Sequence, residues 1–87
     1  MKYKIKSNIF MNKIEGQAIL FHPDTDDLFY LNDTALDVVE ILSQNPITLN
    51  ELLNNMLEIY DVPIEELSND INDLIKELEK NKFLEIN

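Results

Sequence analysis

The chain has no cysteine, no arginine and no tryptophan, and only one glycine and one histidine among its 87 residues. Without cysteine there is no disulfide framework and no thiolate nucleophile or metal ligand, which fits a reducing, cytoplasmic setting. His22 alone cannot supply the paired imidazoles of a common zinc site. Gly16 alone leaves no glycine-rich loop to cradle phosphate, and Ser7, Ser43 and Ser68 lack the glycine-flanked elbow of a serine nucleophile. No catalytic residue, cofactor or metal is therefore expected, and the chain reads as a non-enzyme. The longest uninterrupted apolar run is only four residues, as at Ala18 to Phe21, far too short for a membrane span. The N-terminus also lacks the apolar block of a secretory signal.

Positive charge is nearly absent from the middle of the chain. Seven lysines face 17 acidic residues, for a net charge of -10. Lys2, Lys4, Lys6 and Lys13 sit at the front and Lys76, Lys80 and Lys82 at the back. Between Ile14 and Ile75 there are 14 acidic residues and no lysine. Such a surface repels a line of phosphates, and no arginine is available for a bidentate base contact. Nucleic acid is not an expected partner.

What the chain does have is aliphatic bulk. Apolar residues make up 45% of it, and isoleucine and leucine fill 24 positions. That suffices for one small core, and residues 1–87 read as a single domain. Lys2 to Lys6 alternates polar and apolar residues, and Ile9 to Ile14 is another extended candidate. Glu15-Gly16 suits a hairpin turn, with glycine where a positive φ is needed. Gln17 to His22 reads as the second strand of a meander and Leu28 to Leu31 as the third. The turn formers Pro23-Asp24-Thr25-Asp26-Asp27 lie between them.

After Leu31 the apolar period becomes helical. Asn32 or Asp33 can cap a first helix whose buried face is Ala35, Val38, Val39 and Leu42, and Asn45-Pro46 ends it. Thr48-Leu49-Asn50-Glu51 has the form of a capping box. It opens a second helix carrying Leu49, Leu52, Leu53, Met56 and Tyr60. Asp61-Val62-Pro63 breaks that helix, with Pro63 placed for the first turn of the next. The third helix has an inward stripe of Leu67, Ile71, Leu74 and Leu78. Ile75 widens it on one flank, and Asp70 and Glu77 line the other. Phe83 to Ile86 resumes a strand-like alternation. The expected class is α+β, a three-stranded antiparallel sheet followed by three helices.

Asp24, Asp26 and Asp27 imitate the start of a calcium loop, but the twelfth position counted from Asp24 is Ala35 and the sixth is Phe29. An EF-hand needs glutamate and glycine there, so a solvated hairpin turn is the reading. His22, before Pro23, reads as a surface or half-buried strand residue. The third strand is more informative. Leu28, Phe29, Tyr30 and Leu31 make both of its faces apolar or amphipathic, whereas a strand buried on one side would alternate with polar residues. A groove beside this strand, walled by the third helix, would accept an extended peptide as an added strand.

From Ile9 to Ile86 the sequence resembles the PqqD-like proteins, the recognition elements that bind leader peptides of ribosomally made, post-translationally modified peptides (RiPPs). The residues that carry the resemblance begin with the Ala18-Ile19-Leu20-Phe21 strand, the Pro23-Asp24-Thr25 turn and Tyr30-Leu31-Asn32. They continue through Thr48 to Leu52, Tyr60-Asp61-Val62, Glu66-Leu67, Asp70-Ile71, Leu74 to Leu78, and Lys82-Phe83-Leu84. Asn45-Pro46 departs from the family's Asp-Gly-like turn, and the chain is more acidic than its relatives. The resemblance implies a winged-helix-like arrangement in which a precursor leader peptide pairs with Leu28 to Leu31 and lies against Asp70, Ile71, Leu74 and Glu77. It implies delivery of that precursor to a modifying enzyme, frequently a radical S-adenosylmethionine enzyme, with no chemistry by the recognition element itself. Two other readings stand beside it. One is a winged-helix adaptor or regulator binding a protein or nucleic acid, with the second and third helices as a helix-turn-helix. The other is a small structural subunit or homodimer that pairs with itself through the strand edge, the chain being otherwise expected as a monomer or weak homodimer.

Overall fold

A computed structural model of the chain describes residues 1–15 and 17–87. Strand β2 (Phe10–Ile14) runs to Glu15, whose φ of 49° begins the turn back. The glycine expected to relax this hairpin, Gly16, lies outside the described residues. β3 (Gln17–Phe21) pairs antiparallel with β2 on one side and with β4 (Leu28–Leu31) on the other, in the order β2-β3-β4. Cross-strand partners share a face, so the register Ala18↔Leu31 and Leu20↔Phe29 collects these four side chains on the inner side. Ala18, Leu20 and Leu31 are buried there.

The helices follow their caps. α1 (Asp33–Gln44) starts at Asn32, whose Oδ1 accepts the Ala35 N–H at 2.8 Å, and stops at Asn45, held extended before Pro46. Its predicted stripe of Ala35, Val38, Val39 and Leu42 is wholly buried. α2 (Leu49–Ile59) opens with the predicted capping box. The Thr48 hydroxyl accepts the Glu51 N–H at 3.2 Å, and the Glu51 carboxylate accepts the Thr48 N–H at 3.1 Å. The hydrogen bond from the Thr48 backbone holds the Glu51 carboxyl below its ordinary pKa of 4.5. The contribution of Glu51 is therefore in place above 4.5 and fades as pH falls through the lowered value. Thr48→Ala is expected to cost about 1 kcal/mol, seen as a lower urea midpoint at unchanged slope.

α3 (Ile64–Lys80) departs from expectation in two ways. Pro63 stands at the N-cap, ahead of the first turn rather than within it. Its ψ of 137° is extended, so the ring ends the Asp61-Val62 connection and only then does the helix wind. The buried stripe is Leu67, Ile71, Ile75 and Leu78, with Leu74 half-buried at the rim, so Ile75 and Leu74 exchange the places the sequence suggested. The cause is that α3 packs on both α1 and α2, which turns the Ile75 side inward.

A second, two-stranded sheet joins the chain ends. β1 (Tyr3–Ile5) pairs antiparallel with β5 (Leu84–Ile86), with Ile5 opposite Leu84. Tyr3 is tied to the α1–α2 connection by reciprocal backbone bonds with Ile47 at 2.8 and 3.0 Å. Phe83, between α3 and β5, is fully buried. Its ring lies 5.9 Å from Phe29 and 5.7 Å from His22, centroid to centroid. The fold is thus the expected three-stranded antiparallel sheet and three helices, closed underneath by a ribbon of the two ends.

Candidate functional site

β4 ends its sheet, so one of its long sides has no strand beside it. The direction of its backbone groups follows from the ladder. The His22 N–H donates to the Asp27 C=O at 3.0 Å, and hydrogen-bonded pairs recur at every second position. Leu20↔Phe29 and Ala18↔Leu31 are therefore the bonded pairs. Leu28 and Tyr30 turn their N–H and C=O groups the other way, and no backbone partner among the described residues meets them. The Leu28 and Tyr30 side chains also escape the core, at 55% and 66% exposed. An edge with two outward residues in register is a template for an added strand.

Just past the end of β4 lies a cleft of about 250 Å³ between the start of α1 and the middle of α3, lined by Asn32, Thr34, Ala35, Val38, Asp70, Ile71 and Leu74. A second hollow, lined by Gln17, Ala18, Tyr30, Leu31, Asn32 and Asp33, lies across the ends of β3 and β4 and shares Asn32 with the cleft. Alanine at position 35 keeps the α1 wall of the cleft short. Its floor is aliphatic and Asp70 is at its mouth. The α1 wall is braced from behind: the Tyr60 hydroxyl donates to the Asp37 carboxylate. That bond, foremost among several causes, holds the phenol above its ordinary pKa of 10.0.

The residues singled out from sequence divide as follows. Leu28 and Tyr30 form the open edge and outer face, while Phe29 and Leu31 point inward, Phe29 against Phe83. Asp70, Ile71 and Leu74 meet α1 at the cleft. Glu77 is exposed one turn beyond Leu74, outside the lining. Asn32, Thr34, Ala35 and Val38 were not anticipated. Ala35 and Val38 had been assigned wholly to the core, and the only hint was alanine's small size at the first position of an otherwise bulky stripe.

His22 corrects an expectation. It is not a surface or half-buried strand residue, since β3 ends at Phe21 and His22 is only 4% exposed. Its Nδ1 accepts the Asp24 N–H at 3.2 Å, so the ring builds the β3–β4 turn. Asp26, at φ 62°, and the Thr25 hydroxyl, donating to Asp27 at 3.0 Å, complete a self-bonded polar turn. Among the described residues no group of three or more His, Cys, Asp or Glu is arranged to hold a metal, and no helix is long and apolar enough to cross a membrane.

Comparison with known proteins finds relatives of this fold. The family described as "Coenzyme PQQ synthesis protein D (PqqD)" matches residues 17–84. Among solved structures, "TbiB1 in Complex with the TbiA(beta) Leader Peptide" superposes with a TM-score of 0.81 at 21% identity, covering 94% of each chain. "Lasso peptide synthetase B1 complexed with the leader peptide" superposes with a TM-score of 0.81 at 19% identity, covering 99% of this chain and 100% of that one. At these identities the likeness is one of fold. No curated protein sequence matches.

Proposed function

The chain belongs to the PqqD family, and from that membership we propose that residues 1–87 form a single non-catalytic recognition module. It captures the leader peptide of a ribosomally made precursor by strand addition and delivers it to a modifying enzyme, of the radical S-adenosylmethionine kind. The observation that carries this reading is the open side of β4 together with a preformed cleft past its end. Leu28 and Tyr30 offer four unpaired backbone groups, and Ala35, Val38, Ile71 and Leu74 offer an apolar socket past the end of their strand. Both proteins of matching fold are described as bound to leader peptides, which supports leader binding as the use of this fold. In this reading Leu28 and Tyr30 pair with the leader, Phe29 and Leu31 hold the strand from below, and Asp70, Ile71, Leu74 and Glu77 face it from α3.

A strand added to β4 gains main-chain hydrogen bonds that any sequence can make, so its selectivity lies in the side chains that enter the cleft. Inward-facing leader residues are those opposite Phe29 and Leu31, and one of them occupies the socket. The carboxylates of the central chain repel a duplex, which favours a peptide over a nucleic-acid ligand. The test is a titration with the leader of the precursor encoded beside this chain. Amide shifts are expected to concentrate in Leu28–Leu31 and around Leu74. Ala35→Leu, which fills the socket, should weaken binding at least about tenfold, the worth of one buried apolar anchor, with thermal melting run alongside to read the cost of the added bulk. Binding that leaves β4 unmoved, or that Ala35→Leu does not weaken, rules out this site.

A further inference from the structure

We propose that the peptide taken by this groove is cationic, with a lysine or arginine two residues from its apolar anchor; this rests on the strand-addition reading above. The α3 wall carries the argument. Glu66, Asp70, Leu74 and Glu77 recur at helical spacing and form one row along the helix, so the half-buried leucine at the cleft is flanked by exposed carboxylates on both sides. Asp33 adds another where the hollow meets the end of β4. None of these is neutralised internally. Among the described residues the one ion pair joins Lys13 to Glu40. Lys76, two residues from Leu74, projects from the opposite side of α3. Lys2, Lys4, Lys6, Lys80 and Lys82 lie in or beside β1 and at the end of α3.

Strand geometry turns this charge into a spacing rule. On a strand paired with β4, alternate side chains face the helices. With one of them seated among Ala35, Val38, Ile71 and Leu74, the next on that face lies two residues along the peptide, where Asp70 at the cleft, or Glu77 one turn beyond Leu74, can meet it. A long cationic side chain there reaches a carboxylate while its stem covers the apolar rim. The residues between these face outward, beside Leu28 and Tyr30, and prefer apolar character. Each exposed pair contributes only about 1.5- to 5-fold in affinity, so two or three give about tenfold, and salt screens them.

The probes are two short peptides capped at both ends, one built on the repeat Leu-Val-Lys-Thr and one on Leu-Val-Glu-Thr. At about 50 mM salt the lysine peptide is expected to bind at least about tenfold tighter. Its shifts should centre on Leu28–Leu31 and Leu74, and the gap should close at about 500 mM salt. Asp70→Asn with Glu77→Gln should erase the preference, while Glu58→Gln, on the exposed side of α2, should leave it. Equal binding of both peptides at β4 overturns the charge rule and spares strand addition. A lysine preference whose shifts spread over the helices, or that survives Asp70→Asn with Glu77→Gln, also overturns it. If neither peptide moves the β4 amides, the edge itself is closed to strands, and the proposed function falls with the charge rule.

Discussion

Tyr30→Pro is expected to reduce leader binding by at least about tenfold while leaving the fold standing, because the lost donor serves the ligand and not the sheet. Tyr30 turns its N–H away from β3, so proline at 30 removes no bond of the protein's own ladder. Proline is tolerated on an edge strand when its N–H side faces solvent. The Tyr30 side chain is 66% exposed, so little burial is lost with it. An incoming strand meets a missing donor, worth about 0.5–1.5 kcal/mol, and a pyrrolidine ring in its path. The matched control is Leu31→Pro. Leu31 is in a bonded pair with Ala18 and is buried, so proline there should break the ladder and unfold the edge. Calorimetric binding together with thermal melting separates the two variants. If Tyr30→Pro binds as the native chain does, the open side of β4 is not where the leader pairs.

That contrast could not have been drawn from the sequence. The run Leu28 to Leu31 announces a strand by its residue types, and its doubly apolar pattern announces that both faces matter. Which pair turns inward depends on register against β3, and register is settled by the His22–Asp27 bond across the turn. Helix starts were legible where capping is local chemistry, as in Thr48 with Glu51 and Asn32 with Ala35. Pairing of β1 with β5 was not, since it joins residues at opposite ends of the chain and leaves no periodic trace in either. The same limit explains α3. Periodicity defines a stripe but not its centre, and only the packing of α3 on α1 and α2 shows that Ile75 goes in and Leu74 stays at the rim. Leu74 is thereby a better candidate for ligand contact than its place in the predicted core implied. His22 carried no local sign of its role, because its hydrogen-bond partner is a backbone N–H.

The residue on which the open edge depends most is Phe83, and Phe83→Ala should be the most damaging single truncation in the chain. A fully buried phenylalanine cut to alanine costs about 3–5 kcal/mol, whereas a domain of this size holds only about 4–13 kcal/mol in all. Phe83 is also placed to transmit the damage. Its N–H donates to the Leu78 C=O at 2.9 Å and its C=O accepts from the Lys6 N–H at 3.0 Å, so it locks α3, β5 and the end of β1 together. Its ring supports β4 through Phe29 and the β3–β4 turn through His22. Loss of the ring removes what holds the inner face of β4, so the edge should lose order before the helices do. Phe83→Ala is expected to melt at least about 12 °C lower, with β4 amides exchanging faster than those of α1. Phe83→Leu keeps aliphatic bulk in the core and should fall between the two. Saturating leader should recover part of the loss in Phe83→Leu, since a ligand that binds only the ordered edge stabilises it by mass action. A Phe83→Ala chain that melts like the native one, with β4 exchange unchanged, would show that the edge is held from elsewhere.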